Sequence, residues 1–232
     1  MPDQLPAKST NHAVRYSALI GALVGAFLAR PVLKPWFDRH ITFSPTQNWP
    51  ALVSFVPWVI FSLYWEIAAK NSAPAIKSES RFSRGIHVVL ANAALLFIFF
   101  PIGALNQRFL PDNLFLKLAG SALEFAGVAL AIWARRILGR NWSGEITVKQ
   151  DHELVRTGPY GVVRHPIYTA IFAMYLGSVI VSGHVHALVG LAIGILAYLR
   201  KVRMEEANLA TAFGEKYGEY RKDTWALVPG LY

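Results

Sequence analysis

Long apolar runs separated by short polar and basic segments set the pattern of this chain. Residues 14–32 form the first run, with Arg15 and Arg30 near its ends, where long basic side chains reach the headgroup region. Residues 49–69 and 86–105 form two more, each long enough for the roughly 20 residues that a hydrocarbon core demands. A fourth, residues 118–138, carries Glu124 and ends in Arg135 and Arg136, so one of its faces is expected to meet protein. The last apolar stretch, residues 166–199, is interrupted by Ser-Gly-His-Val-His at Ser182 to His186 and is about twice one short span, which predicts a tight helical hairpin. The pattern predicts an all-α polytopic membrane bundle of about five to six transmembrane helices, residues 1–232 forming a single integral membrane domain. After Arg203, Leu209, Phe213, Tyr217 and Tyr220 recur at helical spacing among charges, which predicts an amphipathic helix on the membrane surface that Gly214 weakens.

The distribution of basic residues gives the expected orientation. With six spans and both termini inside, 18 of the 23 lysines and arginines fall on the cytoplasmic side, and only Arg30, Lys34, Arg39, Arg108 and Lys117 fall outside. Composition agrees with a bilayer: of 232 residues 54% are hydrophobic and 16% charged. The net charge of +9 is better matched to an anionic membrane surface than to nucleic acid, because the basic residues cluster at the ends of apolar runs. The absence of cysteine excludes disulfides, thiolate metal sites and cysteine nucleophiles. No cleavable signal, internal repeat or second soluble domain is expected.

The chemistry is expected in residues 140–168, RNWSGEITVKQDHELVRTGPYGVVRHPIY, which mix His152, Arg156, Arg164 and His165 with turn-forming Gly158, Pro159 and Pro166. Residue by residue, a basic cytoplasmic loop explains this composition as readily as a binding site does. The order of the residues singles out the site. HELVRTGPYGVVRHPIY, followed after the hairpin by RKVRMEEANLATAFGEKYGEY, resembles the signature of the isoprenylcysteine carboxyl methyltransferase family and related phospholipid methyltransferases.

That resemblance implies an integral membrane enzyme that transfers a methyl group from S-adenosylmethionine to a lipophilic acceptor, leaving S-adenosylhomocysteine. It implies a cofactor-binding region over residues 141–220, lined by Lys149, His152, Glu153, Leu154, Val155, Tyr160, His165, Pro166, Ile167, Tyr168 and Glu205. Lys201 stands where the family has a substrate-contacting arginine, and lysine does not reproduce a planar bidentate clamp on a carboxylate; Arg203 is the alternative. The residue types suit the cofactor. Arg164 or His165 fits its carboxylate, Glu205 its ammonium or ribose, and Leu154, Val155 and Tyr160 its adenine, so His165, Arg164 and Glu205 are the candidate catalytic residues. His165 precedes Pro166 and so falls at a helix N-terminus, whose amides favour an anion.

Methyl transfer from a sulfonium asks mainly for positioning and desolvation, and needs no metal. An isoprenylcysteine-type carboxylate needs no general base. A phospholipid amine or a small thiol does, and then His165, Glu205 or Glu206 is a candidate. A sterol-type reductase using NADPH and a transporter are the competing classes, the latter disfavoured because polar residues concentrate in one segment. Glu124 is read either as functional or as paired with a lysine or arginine near the interface. His184 and His186 are two apart and have no third ligand, so no metal site is expected. Trp36, Trp49, Trp58 and Trp65 read as interfacial or packing residues. The two GxxxG runs, Gly21 with Gly25 and Gly190 with Gly194, read as small-residue helix contacts.

Overall fold

The computed structural model describes residues 45–71, 75–142, 147–149 and 154–231. The expected first span, the Gly21/Gly25 pair, Trp36, His152 and Glu153 lie outside those residues. Six α-helices follow one another in the described part: α1 (Pro45–Ala69), α2 (Arg81–Phe99), α3 (Leu114–Leu138), α4 (Pro166–Ser182), α5 (Val185–Phe213) and α6 (Glu215–Asp223). A short antiparallel ribbon is the one addition to the all-α expectation: β1 (Ala75–Ser78) pairs with β2 (Thr147–Lys149), Lys149 lying opposite Ala75. It joins the segment after α1 to the segment after α3.

Local chemistry explains where the helices begin and end. The Ser80 side chain accepts from the Ser83 amide and starts α2 five residues before the expected Ile86. That helix stops at Phe99 instead of Leu105, because Phe100 precedes Pro101 and is held extended at φ −116° and ψ 131°. Asn113 accepts from the Leu116 amide at 2.9 Å and starts α3, and Arg135 and Arg136 occupy its last turn, where cations are favoured. Between α4 and α5 the chain turns on Gly183 at φ 66°, a left-handed position suited to glycine. The turn is tighter than expected, since Ser182 ends one helix and His186 lies in the next.

The amphipathic surface helix expected after Arg203 is not a separate element. α5 runs unbroken to Phe213, because Met204 to Ala212 are mostly good helix formers, and only at Gly214, φ 53°, does the direction change into α6.

Helices α1, α2, α3 and α5 are long and apolar enough to cross a membrane, while α4 has 17 residues. Exposed Leu52, Val56, Ile60, Leu63 and Ile67 form one stripe along α1, and Val89 and Leu96 on α2 with Leu118, Phe125 and Trp133 on α3 extend the apolar exterior. Lipid is the solvent that tolerates such a surface.

In lipid, helices associate through close packing and buried polar contacts more than through the hydrophobic effect. α3 and α4 meet at Gly120 and Gly177, where a Cβ on Gly177 would lie 2.5 Å from the Gly120 carbonyl oxygen. Gly190 likewise lies against the Ala94 backbone of α2, and Gly194 against the Tyr175 ring, so this GxxxG run does serve helix contacts. Trp58 and Trp65 pack in the core and Trp49 is exposed.

Glu124 is 0% exposed and meets no lysine or arginine among the described residues; it accepts hydrogen bonds from Ser54 of α1 at 2.6 Å and from Ser178 of α4. Trp58 Nε1 donates to Ser178 Oγ at 3.0 Å. The interfacial pairing with a basic residue is therefore replaced by a polar clasp inside the bundle, at the junction of α1, α3 and α4.

Candidate functional site

The site is assembled at the end of the bundle that holds the C-termini of α1, α3 and α5 and the N-termini of α2 and α4. Residues Leu154 to Arg156 enter it without regular secondary structure, and a 3-10 turn follows at Gly158–Gly161. Gly158 has φ 60°, and its neighbour is the Ile137 side chain, so both the backbone angle and the space exclude a larger residue. The turn buries Pro159 and Tyr160, and burial holds the Tyr160 phenol above its usual pKa, so its hydroxyl keeps its proton.

The chain then pairs with its own C-terminal tail. The Trp225 amide donates to the Val162 carbonyl at 3.1 Å, the Arg164 amide to the Trp225 carbonyl at 2.8 Å, and the His165 amide to the Ala226 carbonyl at 3.0 Å. Pro166 opens α4, and the amides of Tyr168 and Thr169 both reach the His165 carbonyl at 3.0 Å. His165 is thereby fixed from both sides at the helix entrance.

Its ring faces the acidic pair of α5. Glu205 Oε2 lies 3.5 Å from Nδ1 and Glu206 Oε1 lies 3.6 Å from Nε2. Burial works to lower the His165 pKa, but the two carboxylates outweigh it and raise it above the ordinary histidine value. Tyr168, whose ring stacks on His165 at 5.7 Å, donates its hydroxyl to Glu205 Oε1. His165 and Tyr168 thus converge with Glu205 from two distant parts of the sequence.

The other expected residues are placed differently. Arg164 is engaged as a brace: Nε holds Glu206 at 2.8 Å, and Nη1 donates to the carbonyls of Thr224 and, at 3.3 Å, Arg221. Leu154 and Val155 are half-buried, with Val155 against the core, and Ile167 is buried in it. Lys149 is placed only by its backbone in β2. Lys201 is 5% exposed, one turn before Glu205, whereas Arg203 is exposed on another face of α5. Among the described residues no three histidine or carboxylate side chains gather as metal ligands. His184 and His186 stack at 5.4 Å, each with Nδ1 2.6 Å from a backbone carbonyl, of Ser182 and Phe97 respectively.

Sequence reasoning missed the C-terminal clasp. Tyr220 donates to the Tyr160 carbonyl at 2.7 Å, Arg156 donates to the Lys216 carbonyl at 2.5 Å with its guanidinium over the Tyr220 ring at 5.1 Å, and Thr169 Oγ1 reaches the Leu227 carbonyl at 2.7 Å. The short apolar run Trp225 to Val228, after a charged helix, was the available signal.

A comparison with known protein families falls on this same region. Residues 121–211 match the model of the isoprenylcysteine carboxyl methyltransferase (ICMT) family. A protein named cobalt-zinc-cadmium resistance protein CzcN, from Cupriavidus metallidurans, is 35% identical over 112 residues, 47% of this chain and 49% of that one. A protein-S-isoprenylcysteine O-methyltransferase of Schizosaccharomyces pombe is 31% identical over 126 residues, 52% of this chain and 53% of that one. The aligned stretches span about half the length of these relatives. A solved structure of the eukaryotic intramembrane Ras methyltransferase ICMT aligns with a TM-score of 0.43 and 15% identity, over 92% of this chain and 86% of that one. The resemblance read from the motif is borne out: residues 121–211, which carry His165, Tyr168 and Glu205, match the model of the isoprenylcysteine carboxyl methyltransferase family.

Proposed function

We propose that this chain is an integral membrane methyltransferase that takes its methyl group from S-adenosylmethionine and gives it to a lipophilic acceptor. Isoprenylcysteine-type carboxyl O-methylation is the reaction that the family match favours. The observation that carries the reading is the convergence of His165, Tyr168 and Glu205, inside the family-matched stretch, at one end of a bundle with a lipid-type exterior.

The donor set suits the cofactor. Glu205 would hold the ammonium or the ribose hydroxyls, and His165, whose pKa its two carboxylate neighbours raise, would hold the carboxylate. Tyr160, Leu154 and Val155 would supply an apolar lining for the adenine, with Pro166, Ile167 and Tyr168 at the start of α4 beside the site. Lys149, His152 and Glu153 complete the expected lining. When bound, S-adenosylmethionine supplies a methyl group already activated by its sulfonium. The task left to the chain is to orient the two partners and exclude water, which the buried tyrosines and the covering C-terminal tail suit. Arg164 acts through Glu206 and the tail carbonyls by holding His165 in place. Lys201, buried beside Glu205, is the cation suited to the acceptor's carboxylate.

The site end of the bundle carries Lys70, Arg81, Arg84, Arg135, Arg136, Arg156, Arg164, Arg200 and Arg203, against Arg108 and Lys117 at the other end of the described helices. The positive-inside rule therefore favours a site that faces the cytoplasm, with the acceptor entering from the bilayer.

Calorimetry on the purified chain in detergent tests the reading. Wild type is expected to bind S-adenosylhomocysteine and not NADPH. Absence of S-adenosylhomocysteine binding in a folded preparation contradicts it.

A further inference from the structure

After α6 the chain continues as an irregular segment, residues 224–231, that lies against the start of α4. Ala226 and Leu227 are buried, packed with Val202 against Tyr168, Phe172 and Leu199. Trp225, Val228 and Leu231 are exposed, Leu231 at 82%. The Leu231 amide donates to the Val228 carbonyl at 3.0 Å across Pro229 and Gly230, the glycine at φ 83°, so a turn brings Val228 and Leu231 together. Three apolar side chains are thus turned outward from a segment whose other face is held by the bundle.

Position and backbone chemistry both identify the medium those side chains meet. About one turn deeper in the bundle than Phe172 and Leu199, on which the segment rests, stand exposed Leu176 of α4 and Leu196 of α5. The segment therefore continues the lipid-type exterior at the site end. α4 calls for such an extension, because its 17 residues rise about 26 Å, short of a hydrocarbon core of about 30 Å. The carbonyls of five consecutive residues, Thr224 to Val228, accept hydrogen bonds from the protein: from Arg164 Nη1, from the Arg164 amide at 2.8 Å, the His165 amide at 3.0 Å, Thr169 Oγ1 at 2.7 Å and the Leu231 amide at 3.0 Å. An irregular segment in water can leave its carbonyls to solvent, whereas one against lipid must satisfy them internally. The last residues of α6 before it, Arg221, Lys222 and Asp223, are all exposed and form the polar side of the same boundary.

We propose that residues 225–231 are a membrane-interface anchor, with Trp225, Val228 and Leu231 seated at the boundary between headgroups and acyl chains in the leaflet on the site's side. A tryptophan with aliphatic neighbours is the composition that settles at that depth. Tyr217 and Tyr220, expected on the membrane surface, are buried against the protein, and the surface contact passes to the segment that follows them. Because the amides of Arg164 and His165 donate to this segment, the anchor ties the entrance of α4 to the leaflet. The inference goes beyond methyl transfer and stands on the packing of the segment, whatever reaction the site performs.

The cysteine-free sequence allows the test to use single labels. Val228→Cys and Leu231→Cys, each carrying an environment-sensitive fluorophore, are placed as full chains in phosphatidylcholine nanodiscs. Glu219→Cys on exposed α6 serves as the aqueous reference and Leu196→Cys on α5 as the deep one. Both labels of the segment are expected to emit to the blue of the Glu219 label and to lose most of their intensity to lipids that carry a nitroxide on an upper acyl carbon. Aqueous iodide should quench them severalfold less than it quenches the Glu219 label. Iodide quenching equal to that of the Glu219 label puts the segment in water and overturns the assignment. Protection from iodide and lipid nitroxide alike puts it under protein, a second copy of the chain included, and overturns it equally. Should Val228→Cys not fold, Leu231→Cys, at the more exposed position, decides alone.

Discussion

At the scale of single residues, the site depends on two carboxylates and a histidine whose charges are coupled. Glu205 faces His165 and Tyr168, so Glu205→Gln removes a charge that both neighbours use. Calorimetry with S-adenosylhomocysteine should show roughly 10- to 100-fold weaker binding, the scale of a lost charged hydrogen bond. An unchanged affinity would place the cofactor elsewhere. The His165 shift also fixes a sign for pH dependence. Its folded-state pKa lies above the unfolded value of about 6.5, so its contribution to stability is complete below that value and is lost as pH rises through the folded-state pKa. Thermal unfolding in detergent should therefore show stability falling as pH rises above neutral, with a slope that His165→Gln reduces. Of these residues, His165, Tyr168 and Glu205 were legible because their order along the chain is distinctive. The role of Arg164 was not, since its partners Glu206, Thr224 and Arg221 are brought to it by folding over 40 or more positions.

At the scale of elements, the helices are fixed by glycines that allow contact and by one polar clasp. A Cβ at Gly177 would meet the Gly120 carbonyl oxygen at 2.5 Å and Glu124 Cγ at 2.6 Å. Gly177→Ala should cost about 1–3 kcal/mol in detergent unfolding, the usual range for overpacking. Glu124→Leu leaves the hydroxyl of Ser54 without its acceptor and should cost about 1–3 kcal/mol, with Glu124→Gln milder because an amide oxygen still accepts. Equal stability of the Gln and Leu variants would argue against the clasp. The spans were legible to within a few residues wherever apolar length decided them. The length of α5 was not, because its last turns are polar yet anchored by Glu205 and Glu206, and the period of Leu209 and Phe213 reads equally as a separate surface helix. The β1–β2 ribbon was invisible, since three or four residues of pairing leave no periodic trace.

At the scale of the whole molecule, the cysteine-free sequence offers a direct check of orientation. Single cysteines at exposed positions, Asn106→Cys near the short turn after α2 and Glu219→Cys on α6, stand at opposite ends of the bundle. In intact cells an impermeant maleimide should label the first, and reach the second only after permeabilisation; the reverse pattern would invert the topology. The central claim concerns chemistry, and transfer of radiolabelled methyl from S-adenosylmethionine by the purified chain tests it most directly. The acceptors are a farnesylcysteine analogue, a phosphatidylethanolamine and a hydrophobic thiol, with Glu205→Gln alongside wild type. The account predicts label in the lipophilic product of wild type, foremost the farnesylcysteine ester, and little with the variant. Label in none of the three, from folded protein that binds S-adenosylhomocysteine, would contradict it.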